Sequence, residues 1–266
     1  MRLAAALAPA LLLGWPALAQ DAPQRAPFIT TPPEVVARML AMARTGPEDF
    51  VIDLGSGDGR IVIHAAREHA ARGLGVDLDA ALVARARESA ARAGVADRVR
   101  FEVRDALRTD LSGASVVTIY LLPFLLDRLE PRLLVGLRPG ARIVTHAFPL
   151  TSWPYDRAET VRLSKSHPGQ GDSSRIFLYV VPAQARGAWR APGGWRLRVH
   201  QSFQKIEVDA QHDGRPLTVT SARLHGEDID FSGDGFAFRG RVARHRIAGE
   251  MRKDGARAPL DFERAP

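Results

Sequence analysis

Residues 50–60 read Phe50-Val51-Ile52-Asp53-Leu54-Gly55-Ser56-Gly57-Asp58-Gly59-Arg60. A short apolar run passes straight into three glycines at alternate positions, and Ile61 to Ala71 then follows with helical spacing. That order predicts a strand buried on both faces, a tight loop and a helix start. Alternate glycines let the backbone turn sharply and leave no Cβ between it and a ligand. N–H groups left free at the helix start are then expected to reach the ligand's polar end. Two phosphate-binding readings fail. A dinucleotide loop needs a glycine at position 60, where Arg60 stands, and a P-loop needs a lysine that is absent.

Working outward, Gly75-Val76-Asp77 ends the next apolar run. Asp77 stands about twenty residues past the loop, where a carboxylate accepts the two ribose hydroxyls of a nucleoside. Asp105, closing a third strand, is placed to accept from an adenine amino group. These features share the C-terminal ends of strands and predict one crevice. Leu74 to Leu78, Val99 to Val103, Val116 to Tyr120, Ile143 to Phe148, Val161 to Leu163 and Ile176 to Val181 read as further strands. Helical patterns lie over Ala80 to Ala93 and Phe124 to Leu137, which predicts an α/β fold with a parallel, doubly wound sheet. Before the loop, Thr31-Pro32-Pro33-Glu34 reads as a helix start, with Thr31 and Glu34 as a capping box.

After Pro182 the helical period stops. Gly187 to Gly194 reads as a linker. Trp195/Leu197/Val199, Ile206/Val208, Leu217/Val219, Ile229/Phe231 and Phe236/Phe238 alternate, with Asp-Gly turns at 213–214, 234–235 and 254–255. This predicts a small C-terminal antiparallel β domain. The expected divisions are a signal peptide over 1–19, a tether over 20–32, an α/β domain over 33–183 and the β domain over 188–266.

The chain's 266 residues carry a net charge of +7, almost wholly from arginine, since Lys165, Lys205 and Lys253 are the only lysines. No basic run is interleaved with aromatics, so nucleic-acid binding is disfavoured. Cysteine is absent, which removes disulfides, thiolate metal sites and thiol nucleophiles. No metal site is expected, because His200, His212, His225 and His245 lack paired ligand spacing. Arg2, the apolar run Leu3 to Leu13 and Ala17-Leu18-Ala19 form a signal-peptide pattern. Export or anchoring on the membrane is expected, and a cytoplasmic protein if the signal does not function.

The loop and its two acids resemble the seven-strand S-adenosylmethionine-dependent methyltransferases, whose loop pattern is acid-x-Gly-x-Gly-x-Gly. Phe28 to Pro32, Asp53 to Val62, Tyr120-Leu121-Leu122-Pro123 and Phe148 to Trp153 narrow the resemblance. They are similar to the lysine methyltransferases of the adenine nucleotide translocase and the ATP synthase c-subunit. The resemblance covers about residues 28 to 182. It implies a Rossmann-like sheet and S-adenosyl-L-methionine as cofactor. It implies cofactor roles for Asp53, Gly55, Gly57, Gly59, Asp77 and Asp105, and Thr31, Pro32, Ser56, Leu78 and Ala106 are expected beside them at the cofactor. The partner it implies is a protein lysine side chain, in those enzymes on a membrane-resident protein.

Enzymes that methylate amides or base amino groups typically carry Asn/Asp-Pro-Pro-aromatic after the fourth strand. Here Tyr120 to Pro123 offers no amide or acid, which argues against adenine or glutamine as acceptor. Tyr120 is the candidate for lining the transfer channel, and His146 for accepting the amine proton. A tyrosine packed on the next helix and a core histidine are the plainer alternatives. Trp153 and Tyr155 fit either a lid over the cofactor or a plug at the sheet edge. A small-molecule methyltransferase also remains open. So does a catalytically silent nucleoside-binding module with an envelope-binding β domain, because an exported enzyme would lack a cofactor supply. The intact loop favours an enzyme.

Overall fold

The computed structural model describes residues 29–265. The expected signal peptide and the start of the tether, up to Phe28, lie outside them. Five parallel strands order the first layer: β1 (Phe50–Leu54), β2 (Arg72–Asp77), β3 (Val99–Val103), β4 (Val116–Ile119) and β5 (Arg142–His146). A hairpin of β6 (Arg157–His167) and β7 (Gly171–Val180) completes it, with β7 antiparallel to both β5 and β6. The order is β3-β2-β1-β4-β5-β7-β6. Helices α1 (Pro33–Met42), α2 (Arg60–His69), α3 (Ala80–Arg92) and α4 (Pro123–Gly136) cover the two faces.

The apolar runs explain the layering. Val51, Val116 and Val144 pack under α1 and α2, while Ile52, Leu54 and Ile119 pack under Leu126, Leu129 and Leu133 of α4. Each such side chain, fully buried, contributes about 1.5–3 kcal/mol. The expected capping box does not form. Pro32 is the N-cap of α1 and makes no side-chain cap bond. Thr31 Oγ1 instead meets His146 Nδ1 at 3.2 Å, and the Glu34 carboxylate accepts from Ser164 on β6. Tertiary partners outcompete the local ones.

The second layer is a nine-stranded antiparallel sheet. Its strands are β8 (Gly187–Ala191), β9 (Trp195–Ser202), β10 (Lys205–His212), β11 (Arg215–Leu217) and β12 (Val219–His225). They are followed by β13 (Asp228–Gly233), β14 (Phe236–Val242), β15 (Arg246–Lys253) and β16 (Ala256–Arg264). The order is β11-β10-β9-β8-β16-β15-β14-β13-β12. Because β10 also lies beside β12, the sheet curls nearly into a barrel around Trp189, Leu197, Phe231, Phe238 and Phe262. Two expectations are corrected. The linker over 187–194 is mostly β8, drawn in by buried Trp189, whose Nε1 donates to the Ala185 carbonyl at 2.8 Å. Leu217 and Val219 belong to two strands at opposite ends of the sheet order.

The two sheets meet at Trp153, in the loop between β5 and β6. Its ring stacks on Phe203 at 5.6 Å, and its Nε1 donates to Gln204 Oε1 at 3.0 Å. Phe203 and Gln204 form the turn between β9 and β10. Trp153 is therefore a buried plug at the junction, not a lid. Tyr155 packs on Phe177, also away from the glycine loop.

Candidate functional site

A crevice of about 870 Å³ opens at the C-terminal ends of β1, β2, β3 and β4. Small-molecule sites span ~300–1,000 Å³, so it has room for a nucleoside cofactor and an acceptor side chain. Thr31, Asp53, Gly55, Ser56, Gly57 and Asp77 line it, with Leu78, Asp105, Ala106 and Tyr120. Of the sequence-derived candidates, Pro32, Gly59 and His146 are not on its wall.

Gly59 has a structural role. It is the N-cap of α2 at φ 81°, and a Cβ there would stand 2.7 Å from Phe101 Cε1 and 2.9 Å from Ala86 Cβ. The loop's N–H groups are less free than expected. Those of Gly55 and Ser56 donate to the Val76 carbonyl at 2.9 Å, and that of Gly59 to the Ser56 carbonyl. The Gly57 N–H donates to Asp77 Oδ2 at 2.9 Å, while Asp79 N–H holds Oδ1. These bonds aim the Asp77 carboxylate, and each of its oxygens keeps acceptor capacity for a ligand hydroxyl. Asp105 Oδ1 caps the one-turn helix Ala106–Arg108 through Leu107 N–H at 2.8 Å.

The chemistry of the wall fits a cationic nucleoside. Asp53, Asp77 and Asp105 contribute carboxyl groups, and the Ser56 hydroxyl is buried without a partner among the described residues. Asp53 is 2% exposed and accepts from Thr118 Oγ1 at 2.7 Å. Burial pushes its carboxyl up to about 7; the charges of Asp77 and Asp58 push the same way, and the Thr118 bond opposes them. Arg60 was legible only as the residue that breaks the dinucleotide pattern. Its guanidinium pairs with Asp58 at 2.6 Å and donates to the Thr31 carbonyl at 2.9 Å, clamping the segment before α1 against the loop.

The other end of the crevice lies at the end of β4. Tyr120 lines the crevice, and its ring rests on His146 at 4.1 Å. His146 is fully buried, with Nδ1 on Thr31 Oγ1 and Nε2 on Ser174 Oγ at 2.6 Å. Burial pushes the imidazole down to about 4, so it stays neutral near pH 7 and has no free nitrogen for an amine proton. The geometry makes His146 a support behind Tyr120. From the other side Gln170 Nε2 donates to the Tyr120 hydroxyl at 3.0 Å. Across the crevice α4 and the segment leading into it present Leu121, Phe124, Leu125 and Arg128, with Phe124 41% exposed.

The ANTKMT methyltransferase domain matches residues 53–157. A protein-lysine N-methyltransferase from Saccharolobus islandicus (strain REY15A) is 33% identical over 156 residues, which are 58% of this chain and 93% of that protein. The lysine N-methyltransferase of the ATP synthase c-subunit from Mus musculus is 37% identical over 162 residues, 61% of this chain and 60% of that one. The chain spans 55% of the matching Xenopus laevis enzyme and 55% of the mouse adenine nucleotide translocase enzyme. Among solved structures, an RNA methyltransferase from Salinibacter ruber in complex with S-adenosyl-L-homocysteine is 44% identical. It covers 59% of this chain and 95% of its own, with a TM-score of 0.53.

Proposed function

Since the chain belongs to the S-adenosylmethionine-dependent methyltransferase family that includes the lysine methyltransferases of the adenine nucleotide translocase and the ATP synthase c-subunit, we propose that it methylates a protein lysine. The observation that carries the choice of acceptor is the end of β4. Tyr120-Leu121-Leu122-Pro123 offers one hydroxyl and apolar side chains and carries no amide or carboxylate of its own to hold a planar amine, while the nearby Gln170 amide is turned to the Tyr120 hydroxyl. A lysine has a long, slim, apolar stem, which suits entry between such side chains.

Asp53, Ser56, Asp77 and Asp105 line the crevice and would hold S-adenosyl-L-methionine, which when bound would supply an electrophilic methyl group. The residues of the chain do the rest by placement, which accounts for much of the barrier reduction in a direct displacement. Leu121, Phe124 and Leu125 strip water from the entering amine and favour its neutral form, against a reference pKa of about 10.4. The Tyr120 oxygen is placed to accept an amine N–H, so that the nitrogen lone pair faces the methyl group.

RNA is the rival acceptor, because the Salinibacter ruber relative is described as an RNA methyltransferase. Purified protein, methyl-labelled cofactor, and membrane, soluble and RNA fractions from its own source separate the two. Methyl-lysine in discrete protein bands is the expected result. Label confined to RNA, to glutamine or to small metabolites overturns the lysine reading.

A further inference from the structure

The tip of the β6–β7 hairpin reads His167-Pro168-Gly169-Gln170. Gln170 N–H donates to the His167 carbonyl at 3.0 Å, and Gly169 has φ 78°. Proline second and a left-handed glycine third are the requirements of a type II turn. The turn fixes where the Gln170 side chain leaves the hairpin. Its base is also tied down. His167 Nδ1 faces the Pro168 carbonyl at 3.1 Å, so this nitrogen carries a proton, and Nε2 pairs with the Thr30 hydroxyl at 3.2 Å. Thr30 lines the crevice beside Thr31.

From this anchored turn Gln170 reaches the Tyr120 hydroxyl with its amide nitrogen, while its amide oxygen, near the His146 ring, is buried with no hydrogen bond from the described residues. An unmet buried acceptor opposes folding, and such groups call for an explanation other than stability. The explanation here is the tyrosine. A phenol oxygen that accepts one bond keeps one lone pair and its own proton. The His146 ring fixes the plane of Tyr120 from behind, and Gln170 fixes the direction of its hydroxyl.

We propose that Gln170 is a positioning residue for methyl transfer, holding the Tyr120 hydroxyl so that its remaining lone pair accepts an N–H of the incoming lysine amine. The inference rests on the lysine reading and adds a residue to it. With the N–H held, the amine nitrogen presents its lone pair along one direction. With the hydroxyl free to rotate, fewer encounters are aligned.

The test uses the full chain and the lysine-bearing fraction labelled by the wild type. Gln170→Leu is expected to lower kcat about tenfold or more, while KM for the acceptor and Kd for S-adenosylmethionine stay within about twofold. Gln170→Asn is too short to reach and should behave alike. In a Tyr120→Phe background, which removes only the oxygen, Gln170→Leu should cost nothing further. Equal losses in both backgrounds, or an unchanged kcat in the single variants, overturn the inference and leave the lysine reading standing. If the wild type labels no lysine, both fall.

Discussion

At the scale of single residues, Asp53 is expected to link cofactor binding to pH. Its carboxyl sits at about 7 in the folded protein because it is buried, against about 3.9 for an unfolded aspartate. Between those values the folded protein holds a proton that the unfolded chain has lost. This contribution to stability is full below about pH 4, is lost as pH rises, and is gone above about pH 7. A cationic ligand beside Asp53 reverses the preference and expels the proton. Calorimetry of S-adenosylmethionine binding near pH 6.5 should therefore give enthalpies that scale with the buffer's ionisation enthalpy. The slope should shrink at more alkaline pH and vanish in Asp53→Asn. A flat wild-type response at the lower pH would contradict the coupling. His146 works in the opposite sense: burial holds it near 4, so its contribution is present above about pH 6.5 and fades as pH falls toward 4.

At the scale of elements, the junction of β1, loop and α2 depends on Gly59. A side chain there would force a left-handed backbone, about 1–2 kcal/mol for an L-residue. It would also press a Cβ into Phe101 and Ala86, where overpacking costs about 1–3 kcal/mol. Gly59→Ala should lower Tm by about 5 °C or more in thermal unfolding. A Tm equal to that of the wild type would mean that α3 and β3 can move aside. The same element explains why the loop turns side chains, more than N–H groups, toward the crevice. Turning this tightly uses up four of its N–H groups, leaving Ser56, Asp53 and Asp77 to face the crevice.

At the scale of the whole molecule, one aromatic pair couples the two sheets. Phe203 stands at φ 52°, a left-handed backbone that a phenylalanine adopts at a cost, and its ring lies on Trp153. The loop carrying Trp153 is also gripped by buried Glu130 of α4, which accepts the N–H groups of Thr151 at 3.0 Å and Ser152 at 3.1 Å. Because α4 forms a wall of the crevice, the β sheet braces that wall from behind. Trp153→Ala removes a fully buried ring and should destabilise the chain by about 3–5 kcal/mol. Calorimetric unfolding should then split into two transitions, the sheet that carries the crevice melting first. A single transition at the wild-type temperature would contradict the coupling.

The sequence alone determined the local units. Apolar runs of strand length, helical spacing and three alternating glycines are properties of neighbouring residues, and hydrophobic burial acts on them in the same way wherever they pack. Hence β1, β2, β3 and the crevice with Asp53, Asp77 and Asp105 were legible, and so was the antiparallel pattern after Pro182. The tertiary structure decided what depends on partners far away in the chain. Thr31 and Glu34 carry a capping pattern, yet His146 and Ser164, more than a hundred residues later, bind them instead. The 187–194 stretch has the composition of a linker, yet it pairs with β9 and β16 because Trp189 needs a core. Gln170 came to Tyr120 through the Pro168-Gly169 turn, which the sequence reading did not single out. A hydrogen bond spanning fifty residues leaves no periodicity, and only the packed chain selects it.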